Sequence, residues 1–402
     1  MRLFLRSAVS AIYLVSSLFL AASPAVAENY GSRVVKTFYG TTSGGDSIDQ
    51  YTLSNANGMT VTIITYGAIL TSVQNHARRM PDIVLGFNNL SDYETKNSPH
   101  FGSTIGRYAN RIANGVFTLN GTTYCLDANN GPNTLHGGFK GFDTKVWTAT
   151  KVINDSSGAG VELNYLSPAG DGWSDTAPNP NCPSSATKGF PGNLNTFVTF
   201  RLNNKNQIVI DYRATTDAPT VVNLTNNTYW NLSGEGTGTI YSDLITLNAN
   251  QFTPVNTNQI PDGTFRSVTG TVFDFRTPKA VSADIRTFDP QLAIGNGFDL
   301  NWVVNPASYW SQLALAATVH DPLSNRTLRV WTTQPGIQFY SGNSLDATLY
   351  GTSNRAYRQS DGLALEAEHY PDSPNQPNFP STTLLPGQTY AETIVFEIST
   401  GD

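Results

Sequence analysis

The residues best placed for acid–base chemistry are Glu366 and Glu368, which stand two positions apart in the otherwise apolar stretch 362–368. Alternate residues of a β-strand share a face, so both carboxylates would lie together while the leucines and alanine at 363, 365 and 367 pack on the other face. Burial raises the pKa of a carboxyl group and makes its anion a stronger base, which suits proton transfer near neutral pH. On spacing alone, an edge strand that exposes both glutamates to water is the commoner arrangement.

Short strands are the elements that must position these carboxylates. Runs of alternating polar and apolar residues recur along the chain, for example at 59–66, 327–333 and 393–398. Residues 196–202 and 207–213 flank an asparagine-rich turn and predict a β-hairpin. No stretch keeps a helical period beyond about two turns. The sequence therefore predicts an all-β fold, a sandwich or a barrel.

The N-terminus has the features of a secretory signal peptide. Arg2 and Arg6 form a basic start, residues 8–20 are mostly apolar, and small residues at 25–27 offer a cleavage site. The apolar run is shorter than the roughly 20 residues of a membrane-spanning helix, and no later segment qualifies. We therefore expect a signal peptide over residues 1–27, a secreted, extracellular protein that has no membrane association after cleavage, and a single domain over residues 28–402.

The charge balance argues against a nucleic-acid partner. The chain has 24 basic and 30 acidic residues and a formal net charge of −6 at pH 7, and the predicted cleavage would remove two of the arginines. Proteins that bind nucleic acid through its phosphates carry a basic surface instead.

The chain has two cysteines, Cys125 and Cys182. In an exported protein such a pair is more typical of a disulfide than of a metal site, and no CxxC or histidine-rich spacing predicts a metal ion. If the two pair, Cys125 fastens the irregular, proline-rich insertion at 170–189. In a host that glycosylates, seven sequons would fit a glycoprotein: Asn89, Asn120, Asn154, Asn223, Asn226, Asn231 and Asn325.

Four further blocks are dense in glycine, aromatic and polar residues in a way that core packing does not require. They are residues 101–112, 133–138 and 223–234, and a fourth block made of 297–299 and 334–342 that leads on to Glu366. Taken singly, each block is weak evidence for a functional site. A histidine in the setting of His136 is more often a hydrogen-bonded structural residue, and an arginine such as Arg111 is more often a surface charge. The asparagines at 223–231 would usually belong to a loop with self-capping turns.

Taken together and in this order, the blocks resemble the aldose 1-epimerases, also called galactose mutarotases. The resemblance runs from about Tyr66 to Glu397. It favours a catalytic Glu366 over an exposed one, and a functional His136 over a structural one. Six short segments carry it: Asp-Ile-Val-Leu-Gly-Phe at 82–87, Gly-Arg-Tyr-Ala-Asn-Arg-Ile at 106–112, Leu-His-Gly-Gly at 135–138, Asn-Leu-Thr-Asn at 223–226, Thr-Gln-Pro-Gly at 333–336 and Leu-Glu at 365–366.

The resemblance implies a large antiparallel β-sandwich with an open cleft that binds a monosaccharide, and an isomerase that needs no cofactor or metal. It makes Glu366 the general base that takes the proton from the anomeric hydroxyl, and His136 the residue that polarises the sugar near the reacting centre. It also implies four contacts to the sugar: Asn110, Arg111, Asp299 and Gln338.

The chain departs from the family pattern at Asn227, where the family carries the histidine that protonates the ring oxygen. An asparagine can donate a hydrogen bond to the sugar but cannot transfer a proton. Losing a positioned acid typically costs about 10² to 10⁴ in rate. A second departure is Leu300, where the family often has histidine. The remaining histidines lie in no matching motif, and strand parity puts His369 on the face opposite to Glu366.

Three functions stay open from these residues. The first is a mutarotase acting on a hexose, with reduced activity and with water or a neighbouring group as the acid. The second is a carbohydrate-binding relative without catalysis. The third is a lyase or isomerase that uses Glu366 as a lone base on a ring that is not a free sugar. Three large aromatics could offer a flat surface to a sugar ring, although such residues are more often core: Trp230, Trp302 and Tyr340. The preferred sugar and the oligomeric state do not follow from the sequence.

Overall fold

The computed structural model describes residues 31–306 and 313–400, so the predicted signal peptide lies outside the described residues. Strands dominate this part of the chain. Their bounds are β1 Arg33–Thr41, β2 Ser47–Ser54, β3 Met59–Ile64, β4 Ile69–Asn75, β5 Ser103–Ile105, β6 Arg111–Ile112, β7 Val116–Leu119, β8 Thr122–Cys125, β9 Thr134–Leu135, β10 Thr148–Asp155, β11 Gly158–Ser167, β12 Thr187–Lys188, β13 Leu194–Leu202, β14 Gln207–Thr216 and β15 Thr220–Val221. They continue with β16 Thr225–Asn227, β17 Tyr229–Trp230, β18 Leu244–Leu247, β19 Ala249–Thr253, β20 Arg266–Ser267, β21 Lys279–Ala280, β22 Asp299–Val304, β23 Ala314–Asp321, β24 Arg326–Thr332, β25 Gly336–Tyr340, β26 Asp346–Tyr350, β27 Ala356–Arg358, β28 Leu363–Glu368, β29 Thr383–Leu384 and β30 Tyr390–Ser399.

Helices are short, as the lack of a sustained helical period predicts. The α-helices are α1 Leu90–Thr95, α2 Val281–Asp284 and α3 Pro290–Gly295. Single 3-10 turns occupy Ala113–Gly115, Phe142–Thr144, Ile240–Ser242 and Ser373–Asn375. Within the described ranges, no helix is long and apolar enough to cross a membrane.

Two large antiparallel sheets face each other across the main core. One has the order β10-β11-β13-β14-β30-β24-β23-β18-β21 and the other the order β17-β28-β25-β22-β19-β20. The ring of Trp230, from the second sheet, lies 5.0 Å from that of Phe396, from the first. A further sheet is formed by β1 to β4 in sequence order. The predicted all-β sandwich is therefore confirmed.

The predicted hairpin is also present. Strands β13 and β14 pair antiparallel, with Thr196 opposite Ala214 and Leu202 opposite Ile208. Burial alternates along β13 from its first to its last residue, so one face packs on the core and the other is partly exposed. The alternating pattern in the sequence identifies such strands because the side-chain period of a strand is two.

The edge-strand interpretation of the glutamate segment is wrong. Strand β28 lies inside its sheet, between β17 and β25, and all six of its residues are buried. Its leucines and Ala367 belong to the main core, whereas Ala364 packs in a separate apolar cluster on the other face. The predicted division of faces thus holds, but the residues on both faces are buried.

The two cysteines pair as a disulfide whose Cα atoms lie 5.7 Å apart. The bond fastens the 170–189 insertion to the end of β8, as expected for paired cysteines. Three sequon asparagines are buried, which contradicts their use as glycan sites in the folded protein: Asn223, Asn226 and Asn231. Four others are exposed: Asn89, Asn120, Asn154 and Asn325.

Candidate active site

A pocket of about 470 Å³ opens at one face of the six-stranded sheet. The structure brings every predicted site residue to its wall, although these residues are spread over more than 250 positions of sequence: Asn110, Arg111, His136, Asn227, Asp299, Gln338 and Glu366. The volume suits a small polar ligand such as a single sugar ring.

Three neighbouring strands supply the floor of the pocket. Glu366 on β28 lies directly opposite Gln338 on β25 in the antiparallel register. The side-chain amide of Gln338 donates a hydrogen bond of 2.6 Å to Asp299 Oδ1 at the start of β22. Adjacent strands place these side chains on one face because opposite residues of a ladder project the same way. The result is a row of two carboxyl groups and an amide.

Burial gives Glu366 the character of a base. Only 4% of the residue is exposed. Its pKa is raised from 4.5 to about 8, first because burial disfavours the anion and then because the carboxylate of Asp299 repels it, while the Arg111 guanidinium opposes the shift. The Oε2 atom of Glu366 has no hydrogen-bond partner among the described residues, so it is free to take a proton from a ligand.

The second glutamate, Glu368, is held behind the pocket wall. It is fully buried, and its Oε1 accepts a hydrogen bond of 2.9 Å from the side-chain amide of Asn110. Burial and then the nearby charge of Glu366 raise the pKa of Glu368 well above its ordinary value. Asn110 also accepts from the backbone N–H of Arg111, so its side chain is engaged with neighbours, and its contact to a sugar stays a prediction.

His136 is oriented by Asn110. The backbone N–H of Asn110 donates to His136 Nδ1 at 3.2 Å, and the backbone N–H of His136 donates to the carbonyl of Asn110 at 3.0 Å. Burial, then the neighbouring His100 and Arg111, hold the pKa of His136 well below its ordinary value. A neutral imidazole whose Nδ1 accepts a hydrogen bond carries its proton on Nε2. His136 can therefore polarise a ligand oxygen by donating to it.

Arg111 is buried at the centre of a polar network, so its interpretation as a surface charge is wrong. Its guanidinium donates to the side-chain oxygens of Asn130 at 3.0 Å and Gln259 at 2.8 Å. Gln259 in turn donates to Asp299 Oδ2 at 2.5 Å. Sequence reasoning missed Asn130 and Gln259, because neither lies in one of the recurring segments. The network fixes the cation where it faces Glu366.

A protein-family model described as aldose 1-epimerase matches residues 49–397, which contain this whole pocket. The chain belongs to the aldose 1-epimerase family. It is 40% identical over 358 residues to galactose mutarotase from Bos taurus, covering 89% of this chain and 95% of that protein. It is 35% identical over 349 residues to aldose 1-epimerase from Escherichia coli strain K12, covering 85% of this chain and 92% of that one. The crystal structure of galactose 1-epimerase from Lactobacillus acidophilus NCFM aligns with a TM-score of 0.77 at 27% identity, over 92% of this chain and 100% of that chain.

The pocket also contains a residue that sequence reasoning did not select. His100 lines the pocket, and its ring centroid lies 4.9 Å from that of His136. Its Nδ1 is 2.9 Å from Asp143 Oδ2. The signal available in the sequence was its position one residue before the first block, but its carboxylate partner is 43 residues away.

The other expectations for the cleft are partly corrected. Trp230 and Trp302 are fully buried in the main core, so neither offers a face to a ligand, whereas Tyr340 lines the pocket. Leu300 also packs in the main core and does not line the pocket. His369 is held by Gln334, with 2.7 Å between His369 Nδ1 and Gln334 Oε1.

Proposed function

We propose that this protein interconverts the α and β anomers of a free hexose by opening and reclosing the ring. The observation that carries the proposal is the buried carboxyl group of Glu366, whose pKa is raised. One of its oxygens has no hydrogen-bond partner among the residues that the structure describes, and it lines a pocket of sugar-ring size. An isomerisation of this kind needs a base, an acid and groups that hold hydroxyls, and the pocket offers all three.

In the proposed reaction, Glu366 takes the proton of the anomeric hydroxyl. The bond between the anomeric carbon and the ring oxygen breaks, the anomeric carbon becomes an aldehyde, and the ring oxygen receives a proton. Rotation about one carbon–carbon bond then presents the other face of the aldehyde. Ring closure returns each proton to the group that donated it, so no co-reactant is consumed.

The remaining residues would bind and orient the sugar. The side-chain oxygen of Gln338 is buried and has no partner within the described part of the chain, so it can accept from a sugar hydroxyl. Asp299 is held by amides on both of its oxygens and can accept further hydrogen bonds. His136, with its proton on Nε2, would donate to an oxygen near the reacting centre, and Arg111 would stabilise the Glu366 anion.

The rate of catalysis depends on which group acts as the acid. Asn227 stands where the family pattern has its acid, and an enzyme without a replacement would turn over about 10² to 10⁴ times more slowly. We further propose that the protein is exported. The basic and apolar N-terminal segment supports this, as does the disulfide, because such bonds persist in oxidising compartments.

Polarimetry on freshly dissolved α-galactose and α-glucose tests the function. The wild-type protein should speed the approach to the equilibrium rotation, and Glu366→Gln should reduce the rate to that of the buffer. Asp155→Asn makes the same chemical change on the surface and should behave like the wild type. If sugar raises the melting temperature but the protein leaves the rotation curve unchanged, the protein is a binding protein and the proposal is wrong.

A further inference from the structure

We propose that His100, held by Asp143, is the general acid that protonates the ring oxygen of the sugar. The assignment deepens the proposed function and rests on it. It names the group that replaces the histidine missing at position 227, and it makes Asp143 and Asn227 positioning residues for that acid.

His100 is placed for this role by the geometry of the pocket. Its side chain is 16% exposed and lines the same cavity as Glu366. Its backbone has φ +61°, a left-handed conformation that is uncommon for residues other than glycine. Four other residues at the pocket wall share this conformation, with φ between +52° and +59°: Asn110, His136, Gln259 and Asn296. Such backbone conformations concentrate at functional sites, where surrounding contacts maintain them.

Asp143 determines how the His100 ring is used. The carboxylate lies 2.9 Å from Nδ1, so that nitrogen carries a hydrogen shared with Asp143, and Nε2 is the nitrogen left to serve a ligand. Asp143 lies in the 3-10 turn Phe142–Thr144, whose first backbone N–H donates to the carbonyl of Gly106 at 3.0 Å.

The two imidazoles at the pocket wall have different environments. His136 accepts a hydrogen bond at Nδ1 and faces Arg111, both of which disfavour a positive charge on its ring. His100 has a carboxylate at Nδ1 instead. Because the ring centroids are 4.9 Å apart, two positive charges would repel each other strongly. We therefore assign the proton transfer to His100, whose Nδ1 is held by a carboxylate, and the neutral hydrogen-bond donor is His136.

Asn227 supports the segment that carries His100. The side-chain amide of Asn227 donates to the carbonyl of Pro99 at 3.3 Å, and the backbone carbonyl of Asn227 accepts from the backbone N–H of Gly102 at 2.9 Å. The backbone of Asn227 pairs with Ser103 where β16 meets β5. The side chain of Asn227 thus holds the residue before His100, and its backbone holds the chain that follows at Gly102.

The step balances without any further reactant. As Glu366 takes the proton from the anomeric oxygen, His100 Nε2 gives one to the ring oxygen, and the carbon–oxygen bond of the ring breaks. On closure, neutral His100 takes the proton back from the former ring oxygen while protonated Glu366 returns its own to the anomeric oxygen. Both residues end in the states in which they began.

His100→Gly is the most informative variant, because glycine adopts φ +61° without strain and leaves a space of imidazole shape. We expect kcat to fall by about 10² to 10⁴ and KM to change by less than about threefold, because the residues that hold the hydroxyls remain. Added imidazole should raise the rate of this variant by at least about tenfold. The control reactions are imidazole without protein and imidazole with Glu366→Gln. His76→Gln, a change at an exposed histidine, should leave the rate unchanged.

Two more variants separate an acid from a structural residue. Asp143→Asn should lower kcat with little change in KM. Asn227→His should not raise the rate when His100 is present. In the His100→Gly background it should recover part of the lost rate, because it supplies another imidazole at the wall of the same pocket. Circular dichroism should show that each variant is folded.

The outcomes are distinct. A His100→Gly rate within about threefold of wild type would overturn the assignment while leaving the proposed function intact. A large loss that imidazole does not restore, accompanied by a matching rise in KM, would make His100 a binding residue and would also overturn it. A wild-type rate no faster than the buffer would overturn the proposed function and this assignment together.

Discussion

Replacing Glu366 by glutamine removes a carboxyl group whose ionisation the fold disfavours, so the variant should be more stable than the wild type at neutral pH although it is inactive. The pKa of Glu366 rises from 4.5 to about 8 in the folded protein, because burial and then the charge of Asp299 act against the anion. Glutamine fills nearly the same volume and carries no charge at any pH used. The comparison therefore isolates the effect of the raised pKa on folding.

The sign and size of the effect follow from proton linkage. The folded protein holds the Glu366 proton more tightly than the unfolded chain, so its contribution to stability is complete below pH 4.5 and is lost as the pH rises towards 8. At pH 7 the loss amounts to at most about 3 kcal/mol, and glutamine avoids it. For a chain of this length, that gain corresponds to a rise in melting temperature of about 4 °C. At pH 4 the two proteins should melt at nearly the same temperature.

Thermal unfolding followed by circular dichroism at pH 4 and pH 7, without sugar, measures this difference. Asp155→Asn is the matched control, because Asp155 is exposed at the end of β10 and hydrogen bonds from Ser157 lower its pKa. The control should gain no stability at pH 7. The reasoning is refuted if Glu366→Gln melts at or below the wild-type temperature at pH 7, or if its gain is equally large at pH 4.

Two other predictions concern the surroundings of the site and the surface. Arg111→Met removes the positive charge that lowers the pKa of Glu366, so less of the base is ionised at pH 7 and kcat/KM should fall by about tenfold or more. The control, Arg213→Met, changes an exposed arginine and should have no effect. Equal losses in both variants would contradict the role of Arg111. When the protein is produced in a host that glycosylates, peptide mass spectrometry should find glycans only at the exposed sequons, and a glycan on the folded protein at a buried one would contradict the structure. The exposed set is Asn89, Asn120, Asn154 and Asn325, and the buried set is Asn223, Asn226 and Asn231.

The fold class was predictable because alternation is a local property. Strand β13 alternates buried and partly buried residues along its whole length, and its sequence alternates in the same way. Whether a strand is central or at an edge depends instead on which other strands pair with it. For β28 those partners begin about 25 and 130 residues upstream, so no local pattern could place Glu366 and Glu368 in the interior.

The site was predictable only as far as short recurring segments extended. The segments and blocks identified Arg111, Asp299 and Glu366, but they do not include Gln259, whose side-chain amide links Arg111 to Asp299. His100 was set aside because it lies in no recurring segment. Its proposed role depends on Asp143, in a distant turn, rather than on its own neighbours in sequence. Side-chain networks of this kind appear only when the chain is folded.

The most direct test of the central claim is the rate of exchange between the two anomers of galactose at equilibrium, measured by magnetisation transfer between their anomeric proton signals in NMR. This experiment observes ring opening and closure themselves, without a change in concentration or a coupled reaction. The wild-type protein should produce exchange well above the buffer rate, and Glu366→Gln should return it to that rate. Exchange that is as fast in Glu366→Gln as in the wild type would contradict the claim that this buried carboxylate is the base.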